Sequence, residues 1–280
     1  MKKVSDILTY FIKELNSSYL DNREITSICY IVIEYYLNLN KSETIIYKDN
    51  IIHSDRLIKL KEVVKDLKKG MPIQYILSET HFNNLKLRVN ENVLIPRSET
   101  EELVNWIIDE NKGSYKKYLD IGTGSACIII SIAKSLEGKF EAMDISTSAL
   151  EVAQTNCNYH MLDINLKEFD ILQHDLDGKW DVIVSNPPYV LKSESKELLP
   201  NVFYEPEISL FVEDRNPLLY YKTIIDQAMN CLNNDGILYF EINENFGTEI
   251  IDLLLDKGFV NIELKKDIND KERMIKAVWK

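Results

Sequence analysis

The sequence predicts a bipartite α/β chain: a small helical bundle over residues 1–75, a β-hairpin linker over 76–96, and a doubly wound sheet domain over 97–280. Three observations predict it. Apolar residues recur at helical spacing through the first seventy positions, and the period drops to two within residues 81–90. From about residue 97, strand-like and helix-like segments alternate, which implies a parallel sheet with helices on both faces. At 280 residues the chain can bury one large core or two smaller ones.

Val4, Ile7, Leu8, Phe11, Ile12, Leu15 and Tyr19 hold the i, i+3, i+4, i+7 spacing of a first helix. Residues 23–39 read as a second helix, apolar on most sides and therefore central. Leu57, Leu60, Val63, Val64 and Leu67 mark a third, with Ser54 as N-cap and Gly70 as stop. In "HFNNLKLRVN" (81–90), Leu85, Leu87 and Val89 alternate with polar residues, as in a strand or hairpin. Ser98 and Glu101 fit a capping box before a helix carrying Leu103, Val104, Trp106 and Ile107. Then follow "KYLDI" (strand), "ACIIISIAKSL" (helix), "FEAMDI" (strand) and "SALEVAQTNCNYH" (helix). "FDILQHD", "WDVIVSN" and "GILYFEIN" read as strands, with a helix near 217–232 before the last. A helix near 246–257 and two terminal strands, "FVNIELKKDI" and "RMIKAVWK", complete the pattern.

Composition narrows the function. Net charge is −12, from 33 basic and 45 acidic residues, which argues against a protein that coats nucleic acid. Cys29, Cys127, Cys157 and Cys231 lack paired metal-site spacing and read as reduced core residues of a cytosolic protein. Histidines 53, 81, 160 and 174 are scattered, so no metal is expected. The N-terminal stretch is amphipathic and interrupted by charge, unlike a signal peptide, and no apolar run approaches a membrane span. A cytoplasmic monomer is expected.

In "LDIGTGSA" (119–126) a strand runs into Gly122 and Gly124 and then a helix. Such glycines let backbone approach a ligand beyond the carboxyl ends of strands. Alone, a glycine turn of this kind is often just a turn. Asp144 strengthens the reading, because it ends the next strand and can accept hydrogen bonds from ribose hydroxyls. That geometry suits NAD or S-adenosylmethionine. A pyrophosphate loop wants a third glycine where this chain has Cys127, and Asp120 suits a cationic ligand better than a pyrophosphate. S-adenosylmethionine is favoured.

"SNPPYV" (185–190) ends the "WDVIVSN" strand. Pro187 and Pro188 stiffen the segment and leave carbonyl acceptors without competing N–H groups. Asn186 supplies an acceptor and a donor, and Tyr189 a flat face. The run contains no strong base. It suits a planar NH₂ whose nitrogen lone pair is conjugated, an amide or an exocyclic base amine. Catalysis there would be positioning and electrostatics. The plainer alternative is a proline-rich turn.

From Gly70 onward the chain resembles the HemK/PrmC-type glutamine N5-methyltransferases that modify peptide-chain release factors. The matching stretches are "GMPIQYIL", "VLIPRSETEELV", "LDIGTGSACI", "DISTSALEVAQTN", "DVIVSNPPYV", "YEPEISL" and "DGILYFEI". "VLIPRSETE" separates this family from the DNA adenine and RNA guanine methyltransferases that also carry N-P-P-Y. The resemblance implies a class I, Rossmann-like methyltransferase domain, a helical domain that meets the release factor, and methylation of the glutamine in the GGQ loop. It implies that Asp120, Gly122, Thr123, Gly124, Ser125, Ala126, Asp144, Asp175, Leu176 and Asn186 line the S-adenosylmethionine site. Asn186, Pro187, Pro188 and Tyr189 would hold the glutamine. The chain departs from the family pattern at Ala126 and Ser78, where glycine is usual, at Asn83-Asn84, at Leu176, and in "FVEDRNP" and "EINENF". The rival readings are a nucleic-acid amino-methyltransferase, a cofactor-binding module without catalysis, and a dehydrogenase.

Overall fold

The computed structural model describes residues 1–16, 18 and 20–280; Tyr19, placed on the first helix by its spacing, lies outside them. The chain divides into two compact units, Met1–Ser78 with Leu198–Tyr204, and Glu79–Glu197 with Glu205–Lys280.

The first unit holds α1 (Ser5–Leu15), α2 (Asn22–Leu37), α3 (Lys41–Ile46), α4 (Ser54–Leu67) and α5 (Ile73–Leu77). The helical stripes become its core: Ile7, Phe11 and Leu15 pack with Ile25, Val32, Ile33, Leu60 and Val63. The Asp21 carboxylate caps α2 by accepting from the Arg23 and Glu24 N–H groups. α2 contacts α1, α3 and α4, as expected of a central helix, yet leaves Ile31 and Tyr35 at the surface. Ser54 is the first residue of α4 and not its cap, the flanking position being His53. Gly70, at φ 92°, turns the chain away after α4. The short α3 escapes a reading by apolar periodicity because it buries no residue; an Asn40–Glu43 capping box holds it instead.

The second unit opens with an antiparallel hairpin, β1 (Glu79–Phe82) and β2 (Leu85–Arg88). Its turn residues Asn83 and Asn84 both adopt left-handed φ, a type I′ geometry that asparagine tolerates. Then come α6 (Ser98–Glu110), β3 (Lys116–Ile121), α7 (Cys127–Ser135), β4 (Gly138–Asp144), α8 (Thr147–Tyr159), β5 (Asn165–Glu168), β6 (Trp180–Ser185), β7 (Val190–Leu191), α9 (Glu207–Leu210), β8 (Phe211–Val212), α10 (Leu219–Cys231), β9 (Leu232–Glu241), α11 (Gly247–Asp256), β10 (Val260–Lys266) and β11 (Glu272–Val278). A seven-stranded sheet runs β10-β11-β9-β6-β3-β4-β5. β11 is antiparallel to both of its neighbours, and the other pairs are parallel. Alternate residues serve opposite faces. Val182 and Val184 join the core that includes Leu103 of α6 and Ile130 of α7, whereas Ile183 joins that of Ile224 in α10 and Ile250 in α11.

Two sequence expectations fail here for physical reasons. "FDILQHD" is a turn and not a strand, the edge strand being Asn165–Glu168 just before it. Asp170 wins over the apolar alternation: its carboxylate accepts from the Leu172 N–H (2.9 Å) and its carbonyl from the Gln173 and His174 N–H groups. The Ser98–Glu101 capping box does not form. The Ser98 hydroxyl turns to Glu99, and Glu101 accepts from the Asn83 N–H at 2.7 Å, fastening the hairpin turn to α6.

Candidate active site

The order of strands reverses between β3 and β6, and a crevice opens there beyond their carboxyl ends. Register brings Ile121 opposite Met143 of β4 and Ser185 of β6. The glycine loop after β3 is pinned to the end of β4, because Gly122 N–H (2.8 Å) and Thr123 N–H (3.0 Å) both donate to the Met143 carbonyl. A cavity of about 290 Å³ lies over these ends. Gly122, Gly124, Asp144, Asn186, Pro187 and Pro188 all line it, so segments far apart in sequence meet in one place. A larger, open groove of about 660 Å³ lies where β3 and β4 begin, lined by Lys117, Lys139, Asp163 and Asp177 among others. Ligands of open α/β sheets bind at the opposite, carboxyl end.

Gly122 and Gly124 hold φ of 75° and 53°, and a Cβ added to either would meet nothing within 4 Å. The missing side chains leave backbone open to the cavity. Asp144 accepts from the Gly124 N–H (2.8 Å) through Oδ2 and from the Ser146 N–H (2.9 Å) through Oδ1. A carboxylate has about four lone-pair sites, so it can still accept from a ligand. Burial pushes the Asp144 carboxyl above its usual range, against the Ser146, Gly124 and Ile145 N–H groups. Asp120, wholly buried beneath the loop, accepts from the Thr123 hydroxyl at 2.7 Å. Its other oxygen makes no hydrogen bond, although the Ile129 N–H in the first turn of α7 favours its charge. Burial, with the Asp144 charge nearby, drives the Asp120 carboxyl up to about 7.

Thr123, Ser125 and Ala126 are buried in the loop and do not line the cavity; Ala126 occupies a left-handed φ of 64°, where glycine costs least. Asp175 and Leu176 are not at the cavity either. Asp175 is exposed, and Leu176 packs in the core with its N–H on Gln227. Phe169, Asp170, Ile171 and Leu172 of the turn take that part of the wall.

No local signal marks what lies behind Asn186. Its Nδ2 donates to Thr100 Oγ1 (3.3 Å), and the Thr100 hydroxyl donates to Glu241 Oε2 (2.6 Å). The Tyr189 hydroxyl donates to the other oxygen of Glu241 (2.9 Å), and Asn243 Nδ2 to the Tyr189 carbonyl (3.1 Å). Burial pushes the Glu241 carboxyl up, opposed by its two hydroxyl donors and by Arg273. Tyr189 is therefore a half-buried member of this network and does not line the cavity. A second missed pairing joins two motifs. Arg97 donates to Glu205 Oε1 (2.6 Å) and the Ile95 N–H to Glu205 Oε2 (3.1 Å), tying "IPR" to "YEP" beside the cavity wall. "VLIPRSETE", "YEPEISL" and "DGILYFEI" hold the residues of both pairings, but only as motif letters.

Residues 6–77 match the family model of the PrmC N-terminal domain, and residues 100–207 that of the methyltransferase small domain. A release factor glutamine methyltransferase of Flavobacterium psychrophilum is 46% identical over 281 residues, covering 98% of each chain. The chain belongs to the release factor glutamine methyltransferase family. Another member, from Bacteroides thetaiotaomicron, is 35% identical over 96% of this chain and 98% of its own. Among solved structures, a methyltransferase from Pyrococcus furiosus aligns over 81% of this chain and 98% of its own, with 15% identity and a TM-score of 0.53. The T. thermophilus 16S rRNA N2 G1207 methyltransferase, solved with AdoMet and guanosine, aligns over 72% and 50%, with 13% identity and a TM-score of 0.54. At such identities these two structures speak for the fold of the release factor methyltransferase domain alone.

Proposed function

We propose that this chain transfers a methyl group from S-adenosylmethionine to the side-chain amide nitrogen (N5) of the glutamine in the GGQ loop of peptide-chain release factors. It would act as a cytoplasmic monomer that binds neither nucleic acid nor membrane. Among the described residues no helix is long and apolar enough to cross a membrane.

The cavity's donor set fits the methyl donor. Its charged lining groups are Asp144 and Asp170, with no lysine, arginine or histidine among the described residues around it. Two carboxylates suit a ligand bearing a sulfonium and an ammonium, and would repel a pyrophosphate. Gly122 and Gly124 would hold it by backbone, Asp144 by its free lone pairs, and Phe169, Ile171 and Leu172 by apolar contact. Bound there, S-adenosylmethionine supplies an electrophilic methyl group.

The observation that carries the reading is Asn186 at the end of β6, on the cavity wall with its NH₂ engaged by Thr100. Its carbonyl is left to accept from the NH₂ of a substrate amide, beside the rigid Pro187-Pro188 backbone. Holding that NH₂ aims the amide nitrogen without a strong base. The remaining binding would come from the N-terminal unit, which exposes Ile46 at 70% and Ile51 at 80% and so offers apolar side chains to a protein partner. The test is methyl transfer from tritiated donor to purified release factor, DNA and ribosomal RNA in parallel. Label in release factor alone is expected; label in either nucleic acid and none in release factor would refute it.

A further inference from the structure

We infer that Glu241 is a positioning residue: through Thr100 it sets the direction of the hydrogen-bond chain that fixes which end of the Asn186 amide faces the substrate. This rests on the reading of Asn186 as the acceptor for the substrate amide.

An ionised carboxylate can only accept. Glu241 is 1% exposed, and its two oxygens face two hydroxyls, Thr100 at 2.6 Å and Tyr189 at 2.9 Å. Both hydroxyl hydrogens are therefore committed to it. Thr100 is itself 2% exposed, and with its hydrogen committed its oxygen can only accept from Asn186. The polarity propagates: acceptor-only carboxylate, donating threonine, donating asparagine NH₂. The Asn186 carbonyl is thus the end left for the cavity. Asparagine's oxygen and nitrogen are nearly the same size, so packing alone would not choose between the two orientations; the buried charge does.

Glu241→Gln keeps the shape and removes this directionality. The introduced side-chain carbonyl continues to accept from the half-buried Tyr189, whose phenol is a stronger donor than an aliphatic hydroxyl, and this turns the introduced NH₂ toward Thr100. The Thr100 hydroxyl then donates outward, and Asn186 turns its carbonyl to meet it. The substrate NH₂ now confronts another NH₂. In Asn186→Asp alone, a carboxylate oxygen faces a Thr100 oxygen whose hydrogen is already spent on Glu241. In the double variant every group is satisfied again. The amide now at position 241 donates to Thr100, and Thr100 donates to the carboxylate now at position 186. The second oxygen of that carboxylate faces the substrate.

The experiment is single-turnover methyl transfer to release factor at saturating donor and alkaline pH. It compares wild type, Asn186→Ala, Glu241→Gln, Asn186→Asp and the Glu241→Gln/Asn186→Asp double variant, with donor affinity measured separately. Glu241→Gln should lose roughly 100-fold in rate, as when a positioned polar group is lost, with donor affinity unchanged. The double variant should be at least about tenfold faster than Glu241→Gln, which a merely structural role would not produce. A Glu241→Gln rate within twofold of wild type, or a double variant no faster than the product of the two single effects, overturns the inference. If Asn186→Ala is also near wild type, the amide-acceptor reading beneath it falls as well, which separates the two failures. Should Glu241→Gln not fold, Thr100→Ser, which keeps the hydroxyl, should turn over at least about tenfold faster than Thr100→Ala. Equal rates for that pair overturn the inference too.

Discussion

Asp120→Asn should flatten the pH dependence of stability in the ligand-free protein. The carboxyl is wholly buried, one oxygen on Thr123 and the other without a partner, and its pKa stands at about 7 against 3.8 for the free side chain. Between those values the native state holds a proton that the unfolded chain has released. Stability therefore falls as pH rises through the window, by about 1.4 kcal/mol per pH unit. Below pH 3.8 the effect is absent; above 7 it is complete, on the order of 4 kcal/mol over a window about three pH units wide. Asparagine keeps an acceptor for Thr123 and never ionises. Urea unfolding of both proteins at about pH 5 and pH 8 should show wild type losing roughly 3 kcal/mol more than the variant over that interval. Asp144 and Glu241 are also raised by burial, so they slope stability in the same direction in both proteins and largely cancel in the comparison. Equal slopes would refute the account of Asp120 as a buried, poorly compensated carboxylate. The same charge should attract a cationic ligand, so Asp120→Asn should also bind S-adenosylmethionine more weakly.

Asp144→Ala should weaken donor binding by on the order of 1.5–3 kcal/mol for each charge-assisted bond removed, read by calorimetry; unchanged affinity would remove Asp144 from the site. Arg97→Ala leaves Glu205, whose side chain is 1% exposed, without its cation, and should cost about 3 kcal/mol of unfolding free energy; a loss under about 0.5 kcal/mol would make the "IPR"–"YEP" clasp dispensable. Ile46→Asp with Ile51→Asp should raise KM for release factor roughly tenfold or more and leave donor affinity unchanged; an unaltered KM would place partner recognition elsewhere.

What is legible in the sequence depends on how local the physics is. The glycine loop, Asp144 and the Asn186-Pro187-Pro188 edge each sit at a strand end, so strand-and-helix alternation alone puts them at one rim. The network behind Asn186 is not legible, because Thr100 and Glu241 are 141 positions apart and meet only through the sheet. "FDILQHD" misleads through its apolar alternation, when one Asp170 side chain is enough to close a turn. Glu101 reads as a helix cap and instead answers the left-handed Asn83-Asn84 turn, a demand created by tertiary structure. Leu176 reads as a wall of the cofactor site only by its position in a motif, whereas its apolar side chain goes to the core.

The methyl group is expected to end on a glutamine amide of a release factor. Peptide mass mapping of release factor after reaction locates it, alongside release factor in which the GGQ glutamine is replaced by glutamate. One added methyl on the glutamine side chain, abolished by that replacement, is the expected result. Methylation that persists after the replacement, or that maps to another residue, would show that the GGQ glutamine is not the acceptor.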